Sequence, residues 1–143
     1  MVMRENKYRG RRLDNGEWEY GDLVQFGQQC YTPCKCAIIP GTASGSDPLC
    51  KILFDYEVDP ATVGQFSGLK DKNGREIYEG DILRVTLDFS EELVNREVYY
   101  LEDGFCIHID DETDIQRIVY AIYARDAEVI GNIHDDPELL KTE

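Results

Sequence analysis

Two Asn-Gly pairs, Asn15-Gly16 and Asn73-Gly74, and the alternating run Ile82 to Phe89 constrain this chain more than any other feature. Asn-Gly readily takes the positive φ angles of a type I′ hairpin turn. In the run, Leu83, Val85, Leu87 and Phe89 alternate with Ile82, Arg84, Thr86 and Asp88. A period of two is the signature of a half-buried strand. Together these features predict a protein built mainly from sheet.

The opening segment reads as a hairpin. Tyr8 to Leu13 forms one strand, Asp14-Asn15-Gly16 the turn, and Glu17 to Tyr20 the return. Trp18 and Tyr20 share one face of the return strand, which predicts that this face is buried. Leu23, Val24 and Phe26 extend it. Residues 27–50 hold four cysteines, and Pro40 to Pro48 is a loop by composition. It separates two expected strands, Ala37 to Ile39 and Ile52 to Phe54. Asp59-Pro60 opens a short helical turn that Gly64 can close. Val94 to Leu101 and Phe105 to Ile109 are further strands. Ile115 to Tyr123 is apolar on both faces, and its β-branched residues favour strand over helix. Glu128 to Ile133 is a last strand. Asp135 to Leu140 is a capped helical turn expected to lay its leucines on the core.

The size and composition suit such a fold. A chain of 143 residues fits one domain and can bury roughly two-thirds of its unfolded surface without a disulfide or metal. We read 1–143 as a single domain, with a division into an N-terminal hairpin layer, 1–55, and a barrel-like part, 56–143, as the variant. Met1-Val2-Met3 is followed at once by Arg4, Glu5 and Lys7, and no run approaches the apolar length of a membrane span. The expectation is a cytoplasmic protein with no membrane association. Its five cysteines are then free thiols.

Charge is unevenly placed. The formal net charge is −14; residues 1–87 carry 11 basic and 13 acidic side chains, and residues 88–143 carry 4 and 16, a net of −12. The first dozen residues reverse the sign, with Arg4, Lys7, Arg9, Arg11 and Arg12 against Glu5. So acidic a chain repels nucleic acid at long range, which disfavours that partner. The basic first strand, interleaved with Tyr8, keeps a nucleic-acid reading as the alternative. A basic strand and an acidic C-terminal third on one chain fit pairing between subunits better, and so predict a homo-oligomer. The acidic surface also suits a basic protein partner.

Catalytic and metal chemistry find little support. Cys30, Cys34, Cys36 and Cys50 could supply four thiolates, but Cys50 stands alone where a structural zinc site has a second paired knuckle. Cys106 and His108 share a strand face, and neighbourhood on a strand does not make a nucleophile and base. There is no nucleophile elbow, no phosphate-binding glycine loop, and no calcium loop around Asp110 to Asp114. We assign no catalytic residue, metal or cofactor. A hydrolase using Asp81 or Asp88 is the remaining enzymatic reading, and it predicts turnover lost on changing either to Asn.

Three blocks resemble the YopX family in order: Lys7 to Arg12 with Asn15 to Leu23; Tyr56 to Asp81; and Glu128 to Ile133 with Asp136 to Leu140. The central block contains Asp59-Pro60, Gly64-Gln65-Phe66-Ser67-Gly68-Leu69-Lys70-Asp71 and Glu79-Gly80-Asp81. The blocks span nearly the whole chain. The resemblance implies a small phage- or prophage-encoded protein, β-rich and homo-oligomeric, with no established activity to carry over. Residues 30–50 and 110–114 fall outside the matching blocks.

The combined expectation is an all-β or β-dominated α+β fold, with a small SH3-like barrel around Ile82 to Phe89 and the strands that follow. The expected role is non-enzymatic, by protein–protein binding and self-association. Polar and aromatic residues between regular elements often carry binding. The candidate partner-binding residues are therefore Trp18, Tyr20, Gln65, Phe66, Lys70 and Asp71.

Overall fold

The computed structural model describes residues 6–26, 35–43, 45–86, 92–101, 104–108, 115–117 and 127–140, with backbone alone at 108 and 115–117. It is strand-dominated, with antiparallel pairings, and divides into two compact units, Met1–Phe66 and Ser67–Glu143. Among the described residues no helix is long and apolar enough to cross a membrane.

In the first unit, β1 (Tyr8–Arg11) pairs with β2 (Trp18–Phe26), and β2 with β3 (Lys35–Ile39). The expected hairpin is present, but its turn is a four-residue loop, Leu13 to Gly16, rather than a two-residue type I′ turn. Arg12 N–H donates to Glu17 O at 2.8 Å and Gly16 N–H to Arg12 O at 3.0 Å. Gly16 takes the positive φ, 72°, that ends such a loop at no steric cost. The Arg12 guanidinium braces it. Arg12 Nε and Nη2 donate to Asp14 at 3.0 and 2.7 Å, Nη2 also to Asp55 O, and the group lies 5.2 Å from the Tyr56 ring centre. These hydrogen bonds hold the Asp14 carboxyl below its usual range. Any stabilisation from this exposed pair is present at neutral pH and lost as pH falls through the folded value.

The short strand β4 (Glu57–Val58) pairs with β3, and a bridge from Val58 to Arg12 brings it back against the end of β1. Leu13 N–H to Glu57 O and Asp59 N–H to Arg11 O close that seam at 3.0 and 2.9 Å. The sheet thus curls around Cys36, Ile38 and Val58, with Tyr8, Leu23 and Val63 packed against them. A Cβ on Gly10 would stand 2.9 Å from Val58 Cγ2, so any larger residue would force Val58 to shift where β1 crosses this core.

Ile52 to Phe54 is not a strand. It lies in α1 (Leu49–Asp55), where Ile52 N–H bonds to Pro48 O, and Lys51 reaches Asp47 and Asp55 at 3.6 and 4.0 Å. Three apolar residues are too few to reveal a period, and the i,i+4 charge pattern around Lys51 is the helical signal that was missed. Asp59-Pro60 behaves as expected. Asp59 Oδ1 accepts from Ala61 N–H, and the 3-10 turn Pro60–Thr62 ends at Val63, one residue before Gly64. β5 (Gly64–Lys70) then pairs with β1 through Gly64 and Gln65 and runs into the second unit, where it neighbours β6 (Glu76–Tyr78).

In the second unit, β7 (Asp81–Thr86) is central to one sheet, between β8 (Leu93–Glu97) and β12 (Glu128–Asn132). A second sheet orders β11 (Ile115–Arg117), β10 (Gly104–His108) and β9 (Tyr99–Leu101). The expected strand Val94 to Leu101 is two strands, split at Val98. Val98 exchanges backbone hydrogen bonds with Gly80 and Asp81, each 2.8 Å, and buries its side chain. The core gathers Ile77, Leu83, Val85, Val98, Ile107 and Val129. Ile82, expected on the polar face of its strand, is also fully buried, so β7 is covered on both faces at its start. The pairings among the described residues do not close an SH3-like barrel. The C-terminal turn Pro137–Leu140 leaves its leucines half-buried. Leu87 to Phe89, Ile109 to Asp114 and 118–123 lie outside the described residues.

Asp71 holds the Asn73-Gly74 turn. Its Oδ1 accepts from Asn73 and Arg75 N–H, and Oδ2 from Val129 N–H, all at 2.9 Å. Changing Asp71→Ala should strand three donors and cost about 3 kcal/mol, with Asp71→Asn costing roughly half because its amide keeps one acceptor oxygen. Urea unfolding should show the midpoints falling in that order at constant slope. Gly10→Ala should cost about 1–3 kcal/mol by overpacking against Val58, read in the same assay.

Candidate functional site

Pairing sorts β1 into two faces. Residues directly opposite in an antiparallel pair share a face. Arg9 lies opposite Tyr20 and Gly64, and Arg11 opposite Trp18. Phe66 N–H donates to Lys7 O at 2.7 Å, which continues the same register. One face of β1, β2 and β5 therefore carries Lys7, Arg9, Arg11, Trp18, Tyr20 and Phe66. The other carries Tyr8 and Gly10 toward the core.

The cations sit over the rings. Arg9 Cζ is 4.9 Å and Arg11 Cζ 5.1 Å from the Trp18 ring centre, and Lys7 Nζ is 5.9 Å from that of Phe66. A guanidinium over an indole gains from the ring quadrupole while its N–H groups stay in plane for carboxylates or phosphates. Arg9 is 3% exposed and Phe66 is buried, whereas Lys7, Arg11 and Trp18 are half-buried. Tyr20 is 43% exposed, so the buried Trp18/Tyr20 face expected from alternation is only partly covered.

Of the six candidate residues, Trp18, Tyr20, Gln65 and Phe66 lie in the first unit on β2 and β5, the two strands flanking β1. Gln65 is opposite Tyr8, on the face away from the cation row. Lys70 and Asp71 lie in the second unit. Lys70 is exposed, and Asp71 is buried with both carboxylate oxygens engaged by backbone. Lys7, Arg9 and Arg11 were not among the six. For Arg9 and Arg11 the sequence signal is the i,i+2 spacing opposite Tyr20 and Trp18 across the first Asn-Gly turn, whereas Lys7 meets Phe66 from β5, which no local spacing reveals.

The remaining chemical candidates are placed as follows. Asp81 is 1% exposed, and its Oδ2 accepts Tyr78 N–H at 2.7 Å. Asp88 lies outside the described residues, as do Cys30, Cys34 and the acidic stretch Asp110 to Asp114. Cys36 is buried on β3 and Cys50 exposed on α1. Among the described residues no three His, Cys, Asp or Glu side chains gather where a metal ion could sit. Cys106 is fully buried on β10.

A double-mutant cycle with Arg11→Ala and Trp18→Ala should return a coupling of about 0.5–1 kcal/mol in chemical unfolding, the value for a partly exposed cation–ring pair.

The geometry can be set beside known proteins. A protein of Enterococcus faecalis, EF1440, has a similar fold, with 26% identity, a TM-score of 0.56, and coverage of 96% of this chain and 99% of that one. The protein yopX of Bacillus subtilis is also similar in fold, at 20% identity and a TM-score of 0.51, over 94% of this chain and 98% of that one. No curated protein matches. The model of the YopX protein family matches residues 7–141, which include every strand described above. This chain belongs to the YopX family.

Proposed function

We propose that this chain is a phage- or prophage-encoded accessory protein that works without catalysis, by binding protein and by associating with copies of itself. The observation that carries the reading is the row of cations stacked on aromatic rings in the first unit. Lys7, Arg11, Trp18 and Tyr20 are the accessible part of that row, and Arg9 and Phe66 lie buried behind them. The matching ligand is written into the same sequence, since residues 88–143 carry a net of −12. Stacked cations on one copy and carboxylates on another attract, and the attraction is directional because the rings fix where the cations stand. Exposed Lys70 in the second unit is a separate candidate contact. The non-enzymatic reading is supported by Asp81, a carboxylate committed to backbone within the fold. The origin rests on family resemblance alone, and the oligomer on that resemblance together with the charge map.

A second reading uses the same row for nucleic acid, because alternating bases and stacked rings also suit a phosphate backbone.

Sedimentation velocity should show self-association at low salt that is lost at high salt, and Lys7→Glu with Arg11→Glu should weaken it by roughly tenfold or more. A monomer at low salt and high concentration would remove the self-association. A cross-linked recovery of tagged protein from host cells, with mass spectrometry, should return a basic protein repeatedly and lose it in salt. A salt-dependent gel shift abolished by the same charge reversals would favour nucleic acid instead.

A further inference from the structure

α1 is a helix with weak internal support. It spans seven residues, has no side-chain hydrogen bond at its N-cap Pro48, and buries none of its side chains fully. Helices shorter than about 12 residues do not persist in water on intrinsic propensity, so contacts must hold them. Its described contacts are modest: Lys51 between Asp47 and Asp55, the Arg12 guanidinium on Asp55 O, and half-buried Ile52 and Leu53.

Its outer surface is apolar. At 3.6 residues per turn, Leu49, Leu53, Cys50 and Phe54 occupy an arc of about 140°. Leu49 is 67% exposed, and Phe54, at 79%, is the most exposed large hydrophobic residue among those described. Leu13, also exposed, stands close to the C-terminal end of the helix, with its N–H bonded to Glu57 O. Single exposed leucines are ordinary on a protein surface, but a phenylalanine and leucine grouped on one short helix mark an interaction face.

The flank of the arc says what covers it. Lys51 is neutralised by two carboxylates, so Asp47, Lys51 and Asp55 together leave one negative charge beside the apolar surface. Glu57 and Asp59 follow directly in sequence, and the whole chain carries −14. A second copy docking α1 on α1 would set like charges against each other. A basic partner would not.

We infer that the apolar arc of α1, formed by Leu49, Cys50, Leu53 and Phe54, is the docking face for a basic amphipathic segment of a partner protein. Its apolar side chains would cover Phe54 and Leu49 while its lysines or arginines meet the Asp47 and Asp55 rim. This rests on the reading that the chain works by binding protein, and it names the class of partner and the surface.

The test titrates the isotope-labelled full chain with a synthetic amphipathic Leu/Lys peptide, its scrambled version, and a Leu/Glu peptide. The Leu/Lys peptide should bind, with amide shifts centred on Leu49 to Asp55. Phe54→Asp adds a negative charge, so attraction by charge alone would tighten binding in that variant. Docking on the arc predicts the reverse, a loss of roughly ten- to hundredfold. Leu49→Asp should weaken it in the same direction. Both variants should keep the wild-type thermal midpoint, because the replaced side chains are exposed. Equal or tighter binding by Phe54→Asp, equal binding of the scrambled or Leu/Glu peptide, or shifts centred elsewhere would overturn the inference. In the recovery from host cells, Phe54→Asp should lose the basic partner. If the variant retains it, α1 is not the docking face, and the binding reading stands. If the wild type recovers no partner and runs as a monomer, the binding reading falls and takes this inference with it.

Discussion

The Asp71 carboxylate accepts hydrogen bonds from the backbone of Asn73, Arg75 and Val129, and the second unit depends on it. A buried charge is tolerated only when its lone pairs are filled, and three N–H donors at 2.9 Å do that. Two of the donors shape the Asn73-Gly74 turn. The third belongs to β12, 58 residues further along, so one side chain ties a local turn to a distant strand. Asp81 does a related task at the start of β7, where it accepts Tyr78 N–H while its own carbonyl receives Val98 N–H. Asp81, an acid–base candidate in the sequence, and Asp71, a candidate for binding, thus both accept backbone N–H groups at turns of the fold.

The first unit depends on a different constraint, the approach of β1 to Val58 across Gly10. Tyr8 shares the core-facing side of β1 with Gly10, and the period of two sends Lys7, Arg9 and Arg11 to the other face. There they meet Trp18 and Phe66 from the flanking strands. A segment that reads as simply basic is, once paired, an organised row of cations over rings.

Much of this was legible beforehand, and the misses share a cause. The hairpin of β1 and β2, the Asp59-Pro60 turn, the Asn73-Gly74 turn and strands β7, β10 and β12 follow from glycine, proline and alternation, which act within a few residues. The stretch Gly64 to Lys70, expected between regular elements, is strand β5, because its pairing with β1 comes from a distant segment. The helix at Leu49–Asp55 was missed because an apolar triplet has no resolvable period. The break at Val98 was missed because it comes from hydrogen bonds to Gly80 and Asp81, a tertiary contact. The polarity of Asp71 suggests a binding residue, but its carboxylate is buried and bonded to the distant Val129 N–H, which no local pattern reveals.

By itself the sequence determined a mainly β protein of the YopX family, the places where the chain turns, and an acidic charge concentrated toward the C-terminal end. These are properties of local backbone preference and of composition. Tertiary structure alone decided which face each side chain occupies. It set Arg9 and Arg11 on Trp18, buried Asp71 and Asp81 against backbone, and left Phe54 in solvent. The reason is that facing is fixed by strand register and by partners far along the chain, and a shift of one residue in pairing would invert every one of those assignments.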